Sequence, residues 1–135
     1  RKMSIVGQDF LDMKLTNVND NSTRQLADIV AEGKPVVIDF YTTWWGACNG
    51  AADTMERNAT ERKDVNFLLI HIENKAAQAK QFCDRHNITN AQRLQCGEVP
   101  AEYGIRYIPH HVVIGKDGKI LLNYDKPTRD YMSVV

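Results

Sequence analysis

Lys34-Pro-Val-Val-Ile-Asp-Phe-Tyr-Thr-Thr-Trp-Trp-Gly-Ala-Cys48 is the stretch on which the fold turns. From Val36 to Tyr41 it is a continuous apolar and β-branched run, broken only by Asp39. A strand with one face in water would alternate apolar and polar residues, so this run predicts a strand covered on both faces, a central parallel strand. Trp44 to Gly46 then reads as a turn, and Cys48 to about Glu61 as a helix whose Ala51, Ala52, Met55 and Ala59 make a narrow buried stripe. A carboxyl group within such a strand costs several kcal/mol if ionised without a partner, so the pKa of Asp39 is expected to rise.

Outward from this core, Asp9 to Thr16 alternates imperfectly and runs into Asn17-Val-Asn-Asp-Asn21, a turn-forming cluster, which predicts a short strand or hairpin. Ser22 or Thr23 is placed to cap a helix running to about Glu32, with Leu26, Ile29 and Val30 as its apolar stripe and Gly33 as its stop. Val65 to Ile72 repeats the buried-strand pattern. Lys75 to about His86 is helical, with Ala76, Ala79, Phe82 and Cys83 on one face before Asn87. Asn90 to Glu102 reads as a loop with room for one short strand or turn. His110 to Gly115 and Ile120 to Tyr124 form a hairpin about Lys116-Asp-Gly-Lys119, and Pro127 opens a short final helix. Strands alternating with helices imply an α/β sandwich, a mixed sheet with helices on both faces.

Composition narrows the function classes. The 135 residues suit one compact domain. Seventeen basic residues balance seventeen acidic ones, so no overall field draws the chain to nucleic acid or anionic lipid. The longest apolar runs fall far short of the roughly 20 residues that cross a bilayer, and no membrane partner is expected. Three cysteines, Cys48, Cys83 and Cys96, are too few for a disulfide framework, and an odd number leaves one thiol over. A reducing, cytoplasmic setting is the expectation, with Cys83 and Cys96 as free thiols unless geometry brings their Cα atoms within about 7 Å. No short ligand spacing supports a zinc site, so neither metal nor cofactor is expected.

The Lys34 to Cys48 segment resembles the central strand and active-site turn of thioredoxins. Tyr103-Gly-Ile-Arg-Tyr-Ile-Pro109, followed by a strand and Gly115-Lys-Asp-Gly-Lys-Ile120, resembles their cis-proline segment and terminal hairpin. Gly7-Gln-Asp-Phe10, Gly33-Lys-Pro35 and the enlarged Asn74 to Cys96 region are more similar to the TlpA, tryparedoxin and nucleoredoxin branch than to minimal thioredoxins. The resemblance covers nearly the whole chain. It implies a thioredoxin fold: a three-layer α/β/α sandwich with a central mixed β-sheet and an N-terminal extension, residues 1–135 forming a single domain.

In a working member of this family one cysteine attacks a substrate disulfide and a second resolves the mixed disulfide. By the resemblance, Trp45-Gly-Ala-Cys48 stands where Cys-x-x-Cys is expected. Trp45 then occupies the attacking position and Ala47 that of the usual proline. An indole has no nucleophilic sulfur, so the dithiol cycle is expected to be absent. Cys48 remains as the candidate thiol. It sits near the positive end of its helix dipole, which favours thiolate, but shielding behind Trp45 favours a buried small hydrophobe. Asp39 is either a residual proton relay or a hydrogen-bonded structural residue. Pro109 resembles the cis-proline, which leaves the backbone of Ile108 free to pair with an extended peptide. His110 and His111 point to opposite faces of their strand, so at most one approaches Cys48, and a core hydrogen bond is expected of it.

The expected function is therefore a redox-inactive or divergent module that binds a protein or extended peptide, as a monomer or weak dimer. Its contact surface is formed by Trp44, Trp45, Gly46, Ala47, Ile108 and Pro109, with Tyr107 adding aromatic area. A monothiol disulfide oxidoreductase or redox sensor using Cys48 is the alternative, and a structural subunit of a larger assembly a third class, because fold alone does not choose among them.

Overall fold

The computed structural model describes residues 4–124 and 130–135. Seven strands make one sheet: β1 (Lys14–Asn17), β2 (Thr23–Gln25), β3 (Val36–Tyr41), β4 (Asn66–His71), β5 (Gln92–Gln95), β6 (His110–Ile114) and β7 (Ile120–Tyr124). Their order is β2-β1-β5-β4-β3-β6-β7. The helices are α1 (Leu26–Val30), α2 (Ala47–Glu61) and α3 (Ala76–Arg85), with 3-10 helices at Ala101–Tyr103 and Tyr131–Val134.

β3 is central, and all six of its residues are buried. It runs parallel to β4 and antiparallel to β6, so the parallel character expected from its sequence holds on one side only. Strand alternation divides the core in two. Val36, Ile38 and Phe40 face α1, whose Leu26, Ile29 and Val30 fill that side. Val37 and Tyr41 face α2 and α3, where Cys48, Ala52, Met55, Phe82 and Cys83 pack. The result is a three-layer α/β/α sandwich with a mixed sheet. The N-terminal extension is the β1–β2 hairpin, added antiparallel to the free edge of β5.

Two local readings are corrected. Thr23 does not begin a helix, because Thr23–Gln25 pairs with β1 as the second arm of the hairpin. Ser22 spends its hydroxyl on Asp20 instead. α1 starts at Leu26, and its first free amides are satisfied from outside the helix: Leu26 N–H donates to the Met13 carbonyl and Ala27 N–H to Asp12 Oδ1 at 2.9 Å. α2 begins one residue earlier than its sequence pattern suggests, at Ala47. Asn90 to Glu102 contains the short strand β5, which is interior to the sheet. Pro127 lies outside the described residues.

Beneath the sheet, Glu56 of α2 ties down the α3–β5 connection. Its carboxylate accepts the backbone N–H groups of Asn90 and Ala91 at 2.9 Å, and the Thr89 hydroxyl at 3.0 Å. Burial would raise its pKa, but these donors outweigh it and hold the carboxyl below its ordinary value. A depressed pKa contributes stability above the unfolded value, and that contribution disappears as pH falls through the folded value. Glu56→Ala is expected to cost about 1–3 kcal/mol at pH 7 in urea denaturation. The difference from wild type should begin to shrink as pH falls through the ordinary glutamate value of about 4.3 and should vanish below the folded value, where the carboxylate is lost in both states.

Candidate functional site

The site lies where β3 ends and β6 begins. Because the two strands are antiparallel with Phe40 opposite His110, the turn after β3 and the segment before β6 emerge at the same end of the sheet. Thr42 to Gly46 make the turn, and Ile108 and Pro109 make the entry to β6. The peptide bond between Ile108 and Pro109 is cis. Pro109 is buried, Ile108 is half-buried against the α2 side of the core, and Gly46 and Ala47 are exposed.

Trp44 is 66% and Trp45 47% exposed. Their rings meet edge to face at 5.9 Å between centroids, a geometry that the positive edge and negative face of an aromatic ring favour. Tyr107, 67% exposed, adds a third large ring in the segment leading to Ile108. Solvent thus meets indole on the turn, while the sulfur three residues on is enclosed. Cys48 is only 1% exposed. The first turn of α2 is tight: Cys48 N–H donates to the Trp45 carbonyl at 3.0 Å and Asn49 N–H to that of Gly46 at 3.2 Å. Two of the amides that would carry the positive end of the dipole are thereby consumed.

The chemistry at Cys48 follows from this burial. Loss of hydration pushes the thiol up to about 11; a backbone hydrogen bond from Thr42 opposes the shift, and the Asp39 charge adds to it. The depressed pKa that a helix N-terminus can confer is absent. Cys83 and Cys96 are also raised by burial. All three cysteines are unpaired, and Cys83 and Cys96 lie in cores on opposite faces of the sheet. Among the described residues no group of three or more His, Cys, Asp or Glu side chains is arranged to hold a metal ion.

Asp39 is completely buried, and burial raises its pKa. Its partner is His111, whose Nε2 lies 3.3 Å from Asp39 Oδ2. The two residues face one another across the β3–β6 pairing. Tyr131 stacks on the His111 ring at 4.7 Å, and Asn58 donates to the Tyr131 hydroxyl at 3.3 Å. His111 also walls a cleft of about 530 Å3 beside the Ala47-Gly50-Ala51-Thr54 stripe of α2. His110, on the other face, pairs with Asn123 Oδ1 at 2.6 Å. The alternation of the two histidines was readable in the chain. The Asp39–His111 partnership was not, since it depends on cross-strand register.

The sequence model of the AhpC/TSA family matches residues 6–122 of this chain. The chain belongs to the AhpC/TSA family. Within this thioredoxin-like group it is 28% identical to a thioredoxin of Mycoplasmoides gallisepticum over 96 residues, covering 71% of this chain and 74% of that one. It is 29% identical to the thiol-disulfide oxidoreductase ResA of Oceanobacillus iheyensis over 125 residues, 88% of this chain but only 64% of that protein. Among solved structures, one from Bacteroides vulgatus, assigned as a thiol-disulfide oxidoreductase, superposes with a TM-score of 0.80 at 24% identity over 96% of both chains. A secreted disulfide oxidoreductase of Mycobacterium tuberculosis gives 0.73 at 22% identity over 90% of each. At such identities the two structures establish the fold. Relatives named for thiol-disulfide chemistry make the state of Cys48 the decisive chemical question.

Burial answers it in a measurable way. Iodoacetamide is expected to label Cys48 of the native protein more slowly than a cysteine in the urea-unfolded chain at pH 7.5. Its rate should climb toward a midpoint of about 11, read by mass spectrometry of the Cys48 peptide.

Proposed function

We propose that this protein is a thioredoxin-like module that docks a protein or extended peptide across the surface of Trp44, Trp45, Gly46, Ala47, Ile108 and Pro109, without a dithiol cycle. The observation that carries the reading is the exchange of exposure at the start of α2. Trp45, which by family resemblance stands in place of the attacking cysteine, is at the solvent, and Cys48 is enclosed. Large, stiff aromatic rings on a turn supply contact area at little cost in side-chain entropy, the composition of a binding surface rather than of a solvated loop. Ile108, beside them, offers backbone to a strand-like ligand by the same resemblance.

The monothiol alternative needs a reagent to reach a sulfur that is 1% exposed and holds its proton to high pH. It therefore requires local opening of the turn before any chemistry. Three unpaired thiols fit a reducing, cytoplasmic setting, which we include in the proposal.

Wild-type protein is expected to add nothing to the slow reduction of insulin by dithiothreitol alone, at concentrations where a dithiol thioredoxin precipitates the B chain. Turnover at a comparable rate would overturn the reading. Trp45→Cys should raise reduction at least tenfold above background, since the rest of the turn is in place. Trp45→Ala should weaken binding of peptides selected on the wild-type surface by about tenfold, near 1.4 kcal/mol, in fluorescence anisotropy.

A further inference from the structure

His86 links the end of α3 to the first turn of α2. Its main-chain N–H donates to the Phe82 carbonyl at 3.0 Å, and Asn87 follows with a left-handed φ of +52°. The ring thus stands at the C-terminus of the helix, where a cation is favoured. The imidazole is 12% exposed and meets two oxygens of α2: Nδ1 lies 2.8 Å from Asp53 Oδ1 and Nε2 2.9 Å from Asn49 Oδ1. The Asn49 amide is oriented by its other end, where Nδ2 donates to the Gly46 carbonyl at 3.3 Å. Reversed, it would set two oxygens against each other. An ionised Asp53 can likewise only accept.

Both ring nitrogens therefore face acceptors. A neutral imidazole has one N–H, and whichever nitrogen holds it, the lone pair of the other is pressed against an oxygen. Only the imidazolium makes both contacts hydrogen bonds, and bonds that involve an ionised group are the stronger kind. Few ionisable groups surround the ring. On α2, Asp53 is in contact with it, while Glu56 is committed to residues 89–91. On α3 itself, Arg85 lies 5.5 Å from the centroid of the Phe82 ring, which stacks on His86 at 4.4 Å. The Asn87-Ile88-Thr89 connection carries no ionisable side chain. Asn49 carries the consequence to the surface of the turn: its main-chain N–H and its side-chain amide both end on the carbonyl of Gly46, which joins Trp45 to α2.

We infer that His86 is a positioning residue for the aromatic surface: with both ring nitrogens protonated it grips Asn49 and Asp53 together, Asn49 holds the Gly46 carbonyl, and the Trp44–Trp45 pair is set for docking. Loss of one ring proton frees the Asn49 amide and loosens the turn. The effect on peptide binding rests on the docking function proposed for this surface, whereas the change at the turn does not.

Trp44 and Trp45 are the two tryptophans of the chain, so intrinsic tryptophan fluorescence of the full chain reports on this turn alone. Between pH 5 and 8, the interval in which histidine changes charge, wild-type emission is expected to follow a single one-proton transition. His86→Gln should abolish it, which separates His86 from the buried His71, His110 and His111. Asn49→Ala should abolish it too, since the ring still titrates but the turn is no longer held by it. Asp53→Asn, at an exposed carboxylate, should keep the transition and move it to lower pH by about one unit. A labelled peptide selected on the wild-type surface, with no group of its own that titrates in this interval, should bind about fivefold tighter below the transition than above it. That dependence should be absent in His86→Gln. Flat wild-type emission, a transition that persists in His86→Gln or Asn49→Ala, or one that stays in place in Asp53→Asn would each overturn the inference. Peptide binding that fails at every pH while emission follows these variants would overturn the docking function and leave the positioning role of His86 standing.

Discussion

Everything in this structure depends on burying β3 from both sides. Its six residues are enclosed, so the chain must supply cover twice: α1 on one face, α2 and α3 on the other. That requirement sets the layer order, and it forces the loops at the two ends of the sheet to do the work of solvent contact. It also places Asp39, the single acidic residue of the strand, where an isolated charge would cost several kcal/mol. The fold meets that cost through β6, which brings His111 opposite Asp39. A buried acid–imidazole pair of this kind contributes little net stability, since desolvation offsets most of the attraction between the partners.

The same packing accounts for the character of the turn. α2 must press its inner face, Cys48, Ala52, Met55 and Ala59, onto the sheet, and a residue on that face is withdrawn from solvent. Trp45 precedes the first turn and is free of this demand, so it projects outward beside Trp44. Position along one helical turn thus decides which side chain meets solvent and which is held in the core. The outward position carries an indole, which adds aromatic area to the surface around the cis-proline entry.

Legibility in the sequence followed the range of the interactions. Val36–Tyr41 could be read because a fully apolar run has few alternatives to a two-sided strand. α2, α3 and the Lys116–Lys119 turn announced themselves through periodicity and turn residues, and Gly118 does take the left-handed φ of +83° that the turn demands. Thr23–Gln25 misled, because a good capping residue was claimed by strand pairing to β1, a contact between residues about ten apart whose strength propensity does not register. β5 hid within an irregular stretch for a similar reason: Gln92–Gln95 is held in the sheet by β4 and β1 rather than by its own composition.

The chain by itself determined the layer architecture, the presence of Trp45 three residues before Cys48, and the improbability of a disulfide framework, since these rest on local pattern and residue identity. Only the tertiary structure decided that Cys48 is enclosed, that Cys83 and Cys96 lie on opposite faces of the sheet, and that Asp39 meets His111 rather than water. Each of those facts is a matter of register or of which face packs against which layer. A one-residue slip of β6 would send His111 to the other side of the sheet, so the chemistry of this site is set by strand pairing, which a linear sequence encodes only through the whole core at once.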